Sequence, residues 1–340
     1  MKKLIAGIII LIAAYLAYVI FMPVTGSETE KYLYIRTGTT FPELKRQLSE
    51  KDILPSEFIF SFISKRAGYN IVKPGRYKIS PRMNMLNFIR MLKSGRQEPV
   101  KLIITKLRTK EDLAGRIGKN FETDSSSFLK YILSNDSLSA FGVDTNTFMT
   151  LVIPDTYLVN WNSSPQKIIS KLAAAQNSFW NEERLKKAQK LKLSPEEVYT
   201  IASIVEEETN KEPDKQLIAS VYTNRLRKNM RLEADPTVKY ALRDFGIKRV
   251  LYGHLQYLSP YNTYRNTGLP PGPICTPSIN TIDAVLNQPE TKFIFFVAKP
   301  DFSGHSNFAE NYEQHKINAR LYQKALDSLI LKKQERDIQP

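Results

Sequence analysis

The stretch IASIVEEETN, which begins at Ile201, carries three consecutive glutamates directly after an apolar run. On a helix that turns by about 100° per residue, the apolar side chains of this run fall on one face. Glu207 points away from that face and is predicted to be solvated, and Glu206 lies to one side. Glu208 falls between Ile201 and Ile204, on the apolar face itself. The three carboxylates are therefore not equivalent, and only Glu208 is carried toward the protein interior.

Burial gives Glu208 a specific chemical capacity. A carboxylate in apolar surroundings is disfavoured as a charge, so its pKa rises, which is the condition for a general acid at neutral pH. The negative end of the helix dipole acts in the same direction, because Glu208 lies close to the C-terminal end of the helix. The structural alternative is an ion pair with Arg225 or Arg227 of the following helix. These residues by themselves leave both roles open.

The helix that would carry Glu208 has a clear start signal. Ser194 is predicted as its N-cap, Pro195 as its first helical residue, and Glu197 as the partner that completes a capping box. Helical patterns also precede and follow it, in SPQKIISKLAAAQNSFW from Ser164 and in DKQLIASVYTNRLRKNM from Asp214. The glutamate-bearing helix is therefore expected to lie among other helices.

The C-terminal third of the chain combines broken and regular patterns. Residues 255–280 are rich in Pro, Gly, Tyr and Asn, which is too broken for a helix and too ordered in composition for a linker. KFIFFVAK, at residues 292–299, predicts a buried strand. A final helix is predicted from about Ala309 to Lys333.

A loose pattern occurs three times in the N-terminal part, beginning at Lys31, Gly75 and Val100. Each copy is predicted as a short strand, a polar turn and an amphipathic helix. In the first copy the helical face carries Phe41, Leu44 and Leu48, and in the second Leu86, Ile89 and Leu92. Three short and irregular copies favour small α+β packing over a solenoid.

Charge and hydropathy restrict the possible partners. The net charge of +15 suits an anionic partner such as nucleic acid, a membrane surface or an acidic polymer. Residues 4–22 carry no charge and have about the length of a membrane-spanning helix, so they are predicted to be a retained anchor. Lys2 and Lys3 would stay on the cytoplasmic side, and everything after residue 23 would lie outside the cytoplasm. Nucleic acid is therefore excluded as a partner, and no nucleic-acid-binding motif is present.

Cysteine and histidine supply no further chemistry. Cys275 is the only cysteine of the 340 residues, so no intramolecular disulfide can form, and its Pro-rich surroundings do not suggest a nucleophile. His305 and His315 lack a third ligand at a recognisable spacing, so no metal site is predicted. We expect no cofactor.

Six segments in order along the chain resemble one family, the membrane-bound endolytic murein transglycosylases of the MltG or YceG-like type. They are IPDTY (153–157), ASIVEEET (202–209), ASVYTNRL (219–226), LEADPTVKYAL (232–242), SPYNTYRNTGLPPGPICTPS (259–278) and FFVAKPDFSGHSNFAENYEQH (295–315). Each segment is weak alone, but six in the right order are specific. The chain departs from the family at Glu207, where a lysine is common, and at Ile153, which replaces the usual aromatic residue.

The resemblance implies an α+β protein with three parts. Residues 1–22 would be a transmembrane anchor with a short cytoplasmic N-terminus. Residues 23–99 would form a small LysM-like α+β domain that binds glycan, although a simple spacer is the alternative. Residues 100–335 would form a larger, mixed α/β YceG-like lytic transglycosylase domain. The expected localisation is the inner membrane, single-pass, with the catalytic domain on the periplasmic side.

In this family the catalytic acid is the glutamate immediately before threonine, which corresponds to Glu208, the residue that the helical face also indicates. The resemblance adds Glu206, Asp155 and Tyr157 as supporting residues. Further candidates are Asn224 and Thr237 as hydrogen-bonding groups, Asp235 as a second carboxylate or a turn residue, and Tyr261, Asn262 and Tyr264 as sugar contacts or as braces of their own loop.

The expected reaction is endolytic cleavage between N-acetylmuramic acid and N-acetylglucosamine in nascent glycan strands, giving 1,6-anhydro ends and limiting strand elongation. Two other classes of function stay open. A muramidase-type hydrolase would use Asp235 or Glu206 as a partner carboxylate and would release reducing ends. A non-catalytic, membrane-tethered cell-wall binding protein would retain strands without cutting them. Expected partners are peptidoglycan strands, the membrane and penicillin-binding protein synthases.

Overall fold

The computed structural model describes residues 2–21, 23–24, 30–54 and 56–338. Met1 and Met22 of the predicted anchor, and residues 25–29 of the segment that follows it, lie outside the described residues. The strands are β1 (Lys31–Ile35), β2 (Gly75–Ile79), β3 (Val100–Ile103), β4 (Thr156–Val159), β5 (Phe295–Ala298) and β6 (Ser306–Ala309). They form three two-stranded sheets, β1 with β2, β3 with β4, and β5 with β6.

Helices make up most of the regular structure. They are α1 (Lys2–Phe21), α2 (Phe41–Glu50), α3 (Glu57–Arg66), α4 (Met85–Ser94), α5 (Lys110–Asn120), α6 (Ser125–Ile132), α7 (Asn135–Ser139), α8 (Pro165–Phe179), α9 (Glu182–Leu191), α10 (Pro195–Glu208), α11 (Glu212–Arg227), α12 (Asp235–Leu242), α13 (Tyr252–Leu255), α14 (Ile279–Leu286) and α15 (Tyr312–Ile338), with a 3₁₀ turn at Phe148–Leu151. The mixed α and β character agrees with the prediction.

The chain divides into two compact units. The first comprises Met1–Leu102, Ile117–Asp124 and Leu158–Ile168, and the second comprises Ile103–Arg116, Ser125–Tyr157 and Ile169–Pro340. Each unit is therefore built from stretches that are distant in sequence.

The first unit is organised around the antiparallel pair β1 and β2, in which Leu33 lies opposite Tyr77. Alternate side chains of both strands are buried, as expected for a sheet with one covered face. The helices α2 and α4 bury Leu44, Leu48 and Leu92 against it. The predicted strand–turn–helix pattern is confirmed here, because each strand is followed by an amphipathic helix whose apolar face covers it.

The predicted membrane anchor is wrong. Across the residues that the structure describes, no helix combines the length and the apolar character needed to cross a bilayer. Near the end of α1, Val19 is buried in the core of the first unit, as is Val24 just after the helix. The single-pass inner-membrane localisation rested on this helix and is contradicted with it.

The second unit has α10 at its centre. From Val198 to Val205 every side chain of this helix is buried, and α11, α12 and α14 pack around it. The capping box is confirmed: the Ser194 hydroxyl accepts from the Glu197 amide at 3.2 Å, and the Glu197 carboxylate accepts from the Ser194 amide at 2.8 Å. A buried helix with a fixed start places its last residue, Glu208, at a defined point.

The strand predicted at residues 292–299 is shorter and more exposed than expected. It is β5, which within the described part of the chain pairs with β6 alone, and its side chains from Phe295 to Val297 are partly exposed. Pairing with one neighbouring strand leaves β5 at an edge of its sheet. The strand β6 at Ser306–Ala309 was not predicted, and α15 therefore begins at Tyr312 rather than near Ala309.

Candidate active site

A cleft of about 370 Å³ opens at the C-terminal end of α10. Its walls come from α10, α11, the N-terminus of α12, the 259–266 loop, β5 and the first turn of α15. The lining residues are Glu208, Arg225, Leu232, Glu233, Asp235, Tyr264, Phe295, Phe296, Tyr312 and His315. Three of the residues predicted from sequence therefore meet in it, namely Glu208, Asp235 and Tyr264.

Glu208 is partly buried and has a specific partner. The Tyr222 hydroxyl of α11 donates to Glu208 Oε1 at 2.6 Å, which leaves Oε2 for other groups. Burial raises the pKa of Glu208 to about 7. The Tyr222 bond opposes this rise, the charge of Asp235 adds to it, and the charge of Lys239 opposes it. The carboxyl group can therefore exist in both protonation states near neutral pH.

Asp235 begins α12 and faces the cleft beside Glu208. The Tyr264 hydroxyl donates to Asp235 Oδ1 at 2.6 Å. Burial and this bond to Asp235 raise the pKa of Tyr264, so the phenol stays protonated as a donor. The pair adds a negative charge and an aromatic surface to the side of the cleft.

Arg225 does not pair with Glu208. Its guanidinium is buried and donates to the carbonyl oxygen of Ile294 at 2.7 Å and to Glu233 Oε2 at 2.9 Å. Glu233 has a φ of 52°, an unusual left-handed conformation for a residue with a side chain. The Arg225–Glu233 ion pair therefore fixes the strained turn before α12 against the start of β5.

The opposite wall of the cleft is aromatic. The His315 ring stacks on Phe295 with 5.0 Å between centroids, and Tyr312 lies 6.0 Å from the same ring. Burial and the positive charge of Arg225 lower the pKa of His315, so the imidazole is neutral at pH 7. This wall gives flat surfaces on which sugar rings can pack.

The prediction that Glu207 is solvated is wrong. Lys106 Nζ lies 2.8 Å from Glu207 Oε1, and Arg108 donates to both carboxylate oxygens at 3.2 and 3.1 Å. Burial by itself would raise the pKa of Glu207, but these bonds outweigh it and hold the pKa below its usual value. Its partners come from a segment about a hundred residues earlier, which a helical projection cannot show.

Two of the predicted residues bond to structural partners outside the cleft lining. Glu206 Oε2 accepts from Ser278 Oγ at 3.0 Å and from Thr281 Oγ1, and lies 3.6 Å from Lys215 Nζ. It thereby ties the end of α10 to the start of α14, whose N-cap is Ser278. The Asn224 amide donates to the carbonyl oxygens of residues 291 and 293 at 2.9 and 3.0 Å, which fixes the segment that leads into β5.

The loop that carries Tyr264 is braced by three of the predicted residues. The amide of Asn262 is fully buried and donates to the carbonyl oxygens of Leu255 and Tyr257 at 3.0 and 2.8 Å. The Thr237 hydroxyl forms a hydrogen bond with the Thr263 hydroxyl of this loop at 2.8 Å between the oxygens. Tyr261 packs against Tyr240 at 4.8 Å between centroids. These contacts hold Tyr264 in place from behind.

The remaining predicted residues lie in and beside β4. Tyr157 is buried, and its hydroxyl donates to the carbonyl oxygen of Ile153. Asp155 is exposed and accepts from the amide of Thr156 at 2.6 Å. Neither residue is among those that line the cleft. His305 bonds through Nδ1 to Asp214 at 2.9 Å, which ties β6 to the start of α11.

Several cleft residues were not predicted from sequence. Tyr222 carried a usable signal, because Ile218, Tyr222 and Arg225 follow the 4–3 spacing of one helical face. Glu233, Phe295, Tyr312 and His315 lie in segments that resemble the family, but no periodicity indicated that they meet Glu208. A turn, a two-stranded hairpin and a helix start bring them there from distant parts of the chain.

Comparison with known proteins identifies the family of this chain. The profile of the YceG-like family matches residues 33–321, which include the cleft and most of both units. The chain belongs to the YceG-like family. The resemblance inferred from the six segments is thereby confirmed.

Two relatives and one solved structure are similar to most of this chain. An endolytic murein transglycosylase of Bacillus subtilis (strain 168) is 29% identical over 304 residues, covering 85% of this chain and 84% of the relative. An endolytic murein transglycosylase of Streptococcus pneumoniae serotype 2 (strain D39) is 28% identical over 328 residues, covering 86% of this chain but 58% of the relative. A crystal structure of a YceG-like protein from Listeria monocytogenes aligns with a TM-score of 0.55 at 28% identity, covering 85% of this chain and 99% of that one.

Proposed function

We propose that this protein is an endolytic lytic transglycosylase that cleaves the glycan strands of peptidoglycan and leaves 1,6-anhydro-muramoyl ends. The relatives named endolytic murein transglycosylase support the reaction class. The observation that carries the assignment within this chain is Glu208, a carboxyl group with a pKa of about 7 at the edge of an aromatic-walled cleft. Peptidoglycan is the substrate.

In the first step Glu208 is the general acid. Its protonated carboxyl donates to the glycosidic oxygen between the muramoyl and glucosaminyl residues, and the bond from C1 of the muramoyl sugar to that oxygen breaks. Tyr222 holds Oε1, so Oε2 is the oxygen that faces the substrate. The Tyr222 bond also stabilises the carboxylate that the step leaves behind.

In the second step Glu208 is the general base. The carboxylate takes the proton from the C6 hydroxyl of the same muramoyl sugar, and O6 forms a bond to C1. One C–O bond is broken and one is formed, the proton returns to Glu208, and no water is consumed. Because the nucleophile belongs to the sugar itself, the reaction gains the large advantage of an intramolecular attack. A single carboxyl group is sufficient for both steps.

The other cleft residues support this cycle in our proposal. Asp235 keeps the pKa of Glu208 high by its charge, and Tyr264 fixes Asp235. Phe295, Tyr312 and the neutral His315 supply packing surfaces and hydrogen-bonding groups for the sugars. In contrast, Glu206, Asn224, Thr237, Tyr261, Asn262, Asp155 and Tyr157 act through the fold rather than on the substrate.

Replacing the acid tests the assignment. With purified glycan strands and the full chain, Glu208→Gln is expected to lower the rate of formation of anhydro ends by about 10²–10⁴-fold, the usual contribution of a general acid. Glu196→Gln, an exposed glutamate in the first turn of the same helix, is the matched control and retains full activity.

The chemical form of the new ends decides between the classes of reaction. Mass spectrometry distinguishes the two forms, because an anhydro end is lighter than a reducing end by one water. Reducing ends would instead assign a muramidase-type hydrolase with Asp235 as the second carboxylate. Strands that bind without being cut, equally in wild type and Glu208→Gln, would assign a non-catalytic binding protein.

We further propose that residues 23–99 form the LysM-like part and hold the glycan strand while residues 100–335 cut it. A groove of about 560 Å³ in the first unit supports this proposal, because Tyr34 and Trp161 line it together with Arg36, Thr39 and Gln47. Aromatic faces and hydrogen-bonding side chains are what sugar binding requires. The family resemblance suggests penicillin-binding protein synthases as partners, which would supply the nascent strands.

A further inference from the structure

Among the described residues, Lys239 is a cation without a counter-ion beside the cleft. It lies on α12 one helical turn, about 6 Å, beyond Asp235, which lines the cleft. Its side chain is only partly exposed and makes no ion pair or hydrogen bond with any residue that the structure describes. It is close enough to Glu208 that its charge opposes the rise in the pKa of that group.

Three neighbouring carboxylates are engaged by other partners. Asp235 sits at the i−4 position, from which an aspartate ordinarily pairs with a lysine, but it accepts from Tyr264 instead. Glu207 is held by Lys106 and Arg108, and Glu233 by Arg225. Among the described residues, Lys239 therefore has no carboxylate as an ion-pair partner.

A small pocket lies at this position. It has a volume of about 60 Å³ and is lined by Arg108, Glu207, Pro236, Lys239, Tyr240, Phe245 and Ile274. Two cations, Lys239 and Arg108, face it, and the one carboxylate among the lining residues is already neutralised by Lys106 and Arg108. The volume fits a group the size of a carboxylate and is too small for a sugar ring.

We propose that Lys239, with Arg108 beside it, binds a carboxylate of the peptide stem carried by the muramoyl residue at the cleavage point. The inference rests on the proposed function, which places that muramoyl sugar at Glu208. The stem leaves the sugar from the lactyl group on C3, two carbons from the C1 at which the bond is cut, and in this proposal one of its carboxylates extends to the pocket that Lys239 lines. Lys239 then makes the enzyme favour strands that carry their peptides over strands that have lost them.

The test is a binding measurement in the Glu208→Gln background of the full chain. This background retains the substrate uncut and removes the titration of Glu208, so an effect of Lys239 on the acid cannot contribute. The ligands are glycan oligomers with their peptide stems and the same oligomers after an amidase has removed the stems. Binding is measured by calorimetry at two salt concentrations.

Adding Lys239→Gln is expected to weaken binding of the stem-bearing oligomer about five-fold, the loss of one partly exposed ion pair. Binding of the stem-free oligomer is expected to be unchanged. Lys239→Arg retains the preference, and Lys248→Gln, which removes an exposed charge from the segment after α12, leaves both affinities unaltered. The salt dependence of the stem-bearing oligomer decreases with Lys239→Gln.

An equal loss of affinity for both oligomers, or no loss for either, would overturn the proposal. So would failure of the stem-bearing oligomer to bind at all. The proposed function is judged separately, from the anhydro ends that the wild type makes on stem-free strands, so the two can fail independently.

Discussion

At the scale of single residues, Glu208 owes its chemistry to opposing influences on one carboxyl group. Burial and the charge of Asp235 raise its pKa, while the Tyr222 hydrogen bond and Lys239 lower it, and the result is a pKa of about 7. A group with this pKa can give up a proton and recover it within one catalytic cycle. The neighbours of Glu208 should therefore control the pH range of activity.

Asp235→Asn tests this control. The change removes a negative charge that raises the pKa of Glu208, so that pKa falls and less of the acid is protonated at neutral pH. The alkaline limb of the kcat profile is expected to move to lower pH, while the asparagine oxygen still accepts from Tyr264. Asp136→Asn, an exposed residue in α7, is the control whose profile stays in place. An unchanged profile for Asp235→Asn would contradict the electrostatic role.

The same pKa predicts a cost in stability. Burial raises the pKa of Glu208 from 4.5 to about 7, so the native state binds more protons than the unfolded state between these values. The free energy of unfolding should therefore fall as the pH rises from about 4.5 to 7, by on the order of 3 kcal/mol from this group.

Glu208→Gln abolishes this contribution, so the variant is expected to be more stable than the wild type at pH 8 and to differ less at pH 5. Urea unfolding at the two pH values measures the effect, with Glu196→Gln as the control. A variant that is less stable than the wild type at pH 8 would contradict the inferred burial of a charge.

Sequence patterns were reliable at this scale only where the neighbours are local. The helical projection placed Glu208 correctly on the buried side, because its surroundings are set by its own helix. It failed for Glu207, whose partners Lys106 and Arg108 come from about a hundred residues away. It also could not show that the side-chain amide of Asn262 donates to backbone carbonyl oxygens of its own loop.

At the scale of elements, α10 determines where the acid stands. The Ser194 capping box fixes the start of this helix, and its side chains from Val198 to Val205 are buried. The position of its last residue, Glu208, is therefore well defined. The hairpin β5–β6 and the start of α15 then close the cleft from the other side. The start of α10 was predicted correctly, because its signals are local in sequence. The exposure of β5 was not predicted, because its pairing with a single strand depends on the tertiary fold.

Ser194→Ala tests the contribution of the cap. Loss of the hydroxyl leaves an amide of the first turn without its partner, which is expected to lower the free energy of unfolding by about 1 kcal/mol. The rate of strand cleavage well below the melting temperature should stay close to that of the wild type, because the buried core still holds the helix. Chemical denaturation measures the loss, and Ser80→Ala at an exposed site is the control. A loss no larger than that of the control would contradict the role of the cap.

At the scale of the whole molecule, the two proposed activities belong to two units with separate hydrophobic cores: the first would bind glycan and the second would cleave it. Periodicity indicated the α+β character of the first unit. It did not indicate that Ile117–Asp124 and Leu158–Ile168 join that unit, because such contacts bridge long stretches of chain. At the N-terminus, hydropathy alone predicted a membrane anchor. This prediction was wrong, because α1 does not meet the criteria of length and apolar character for a membrane span.

The groove of the first unit gives a prediction at this scale. Tyr34 lines the groove and packs edge-on against Trp161 with 5.1 Å between centroids. Tyr34→Ala is expected to weaken binding of N-acetylglucosamine oligomers to the full chain by about five-fold, because a partly exposed aromatic surface is lost. Tyr32→Ala, at an exposed tyrosine of the same strand that does not line the groove, is the control. Equal effects of the two changes would assign the first unit a spacer role.

In the proposed reaction, Glu208 directs the sugar's own C6 hydroxyl, rather than water, to C1. The most direct measurement is the reaction of the full chain with purified glycan strands in water enriched in ¹⁸O, followed by mass spectrometry of the new ends. We expect the wild type to form anhydro ends that contain no ¹⁸O, and Glu208→Gln to form none. Reducing ends in place of anhydro ends, formed by the wild type, would show that water is the nucleophile and would contradict this mechanism.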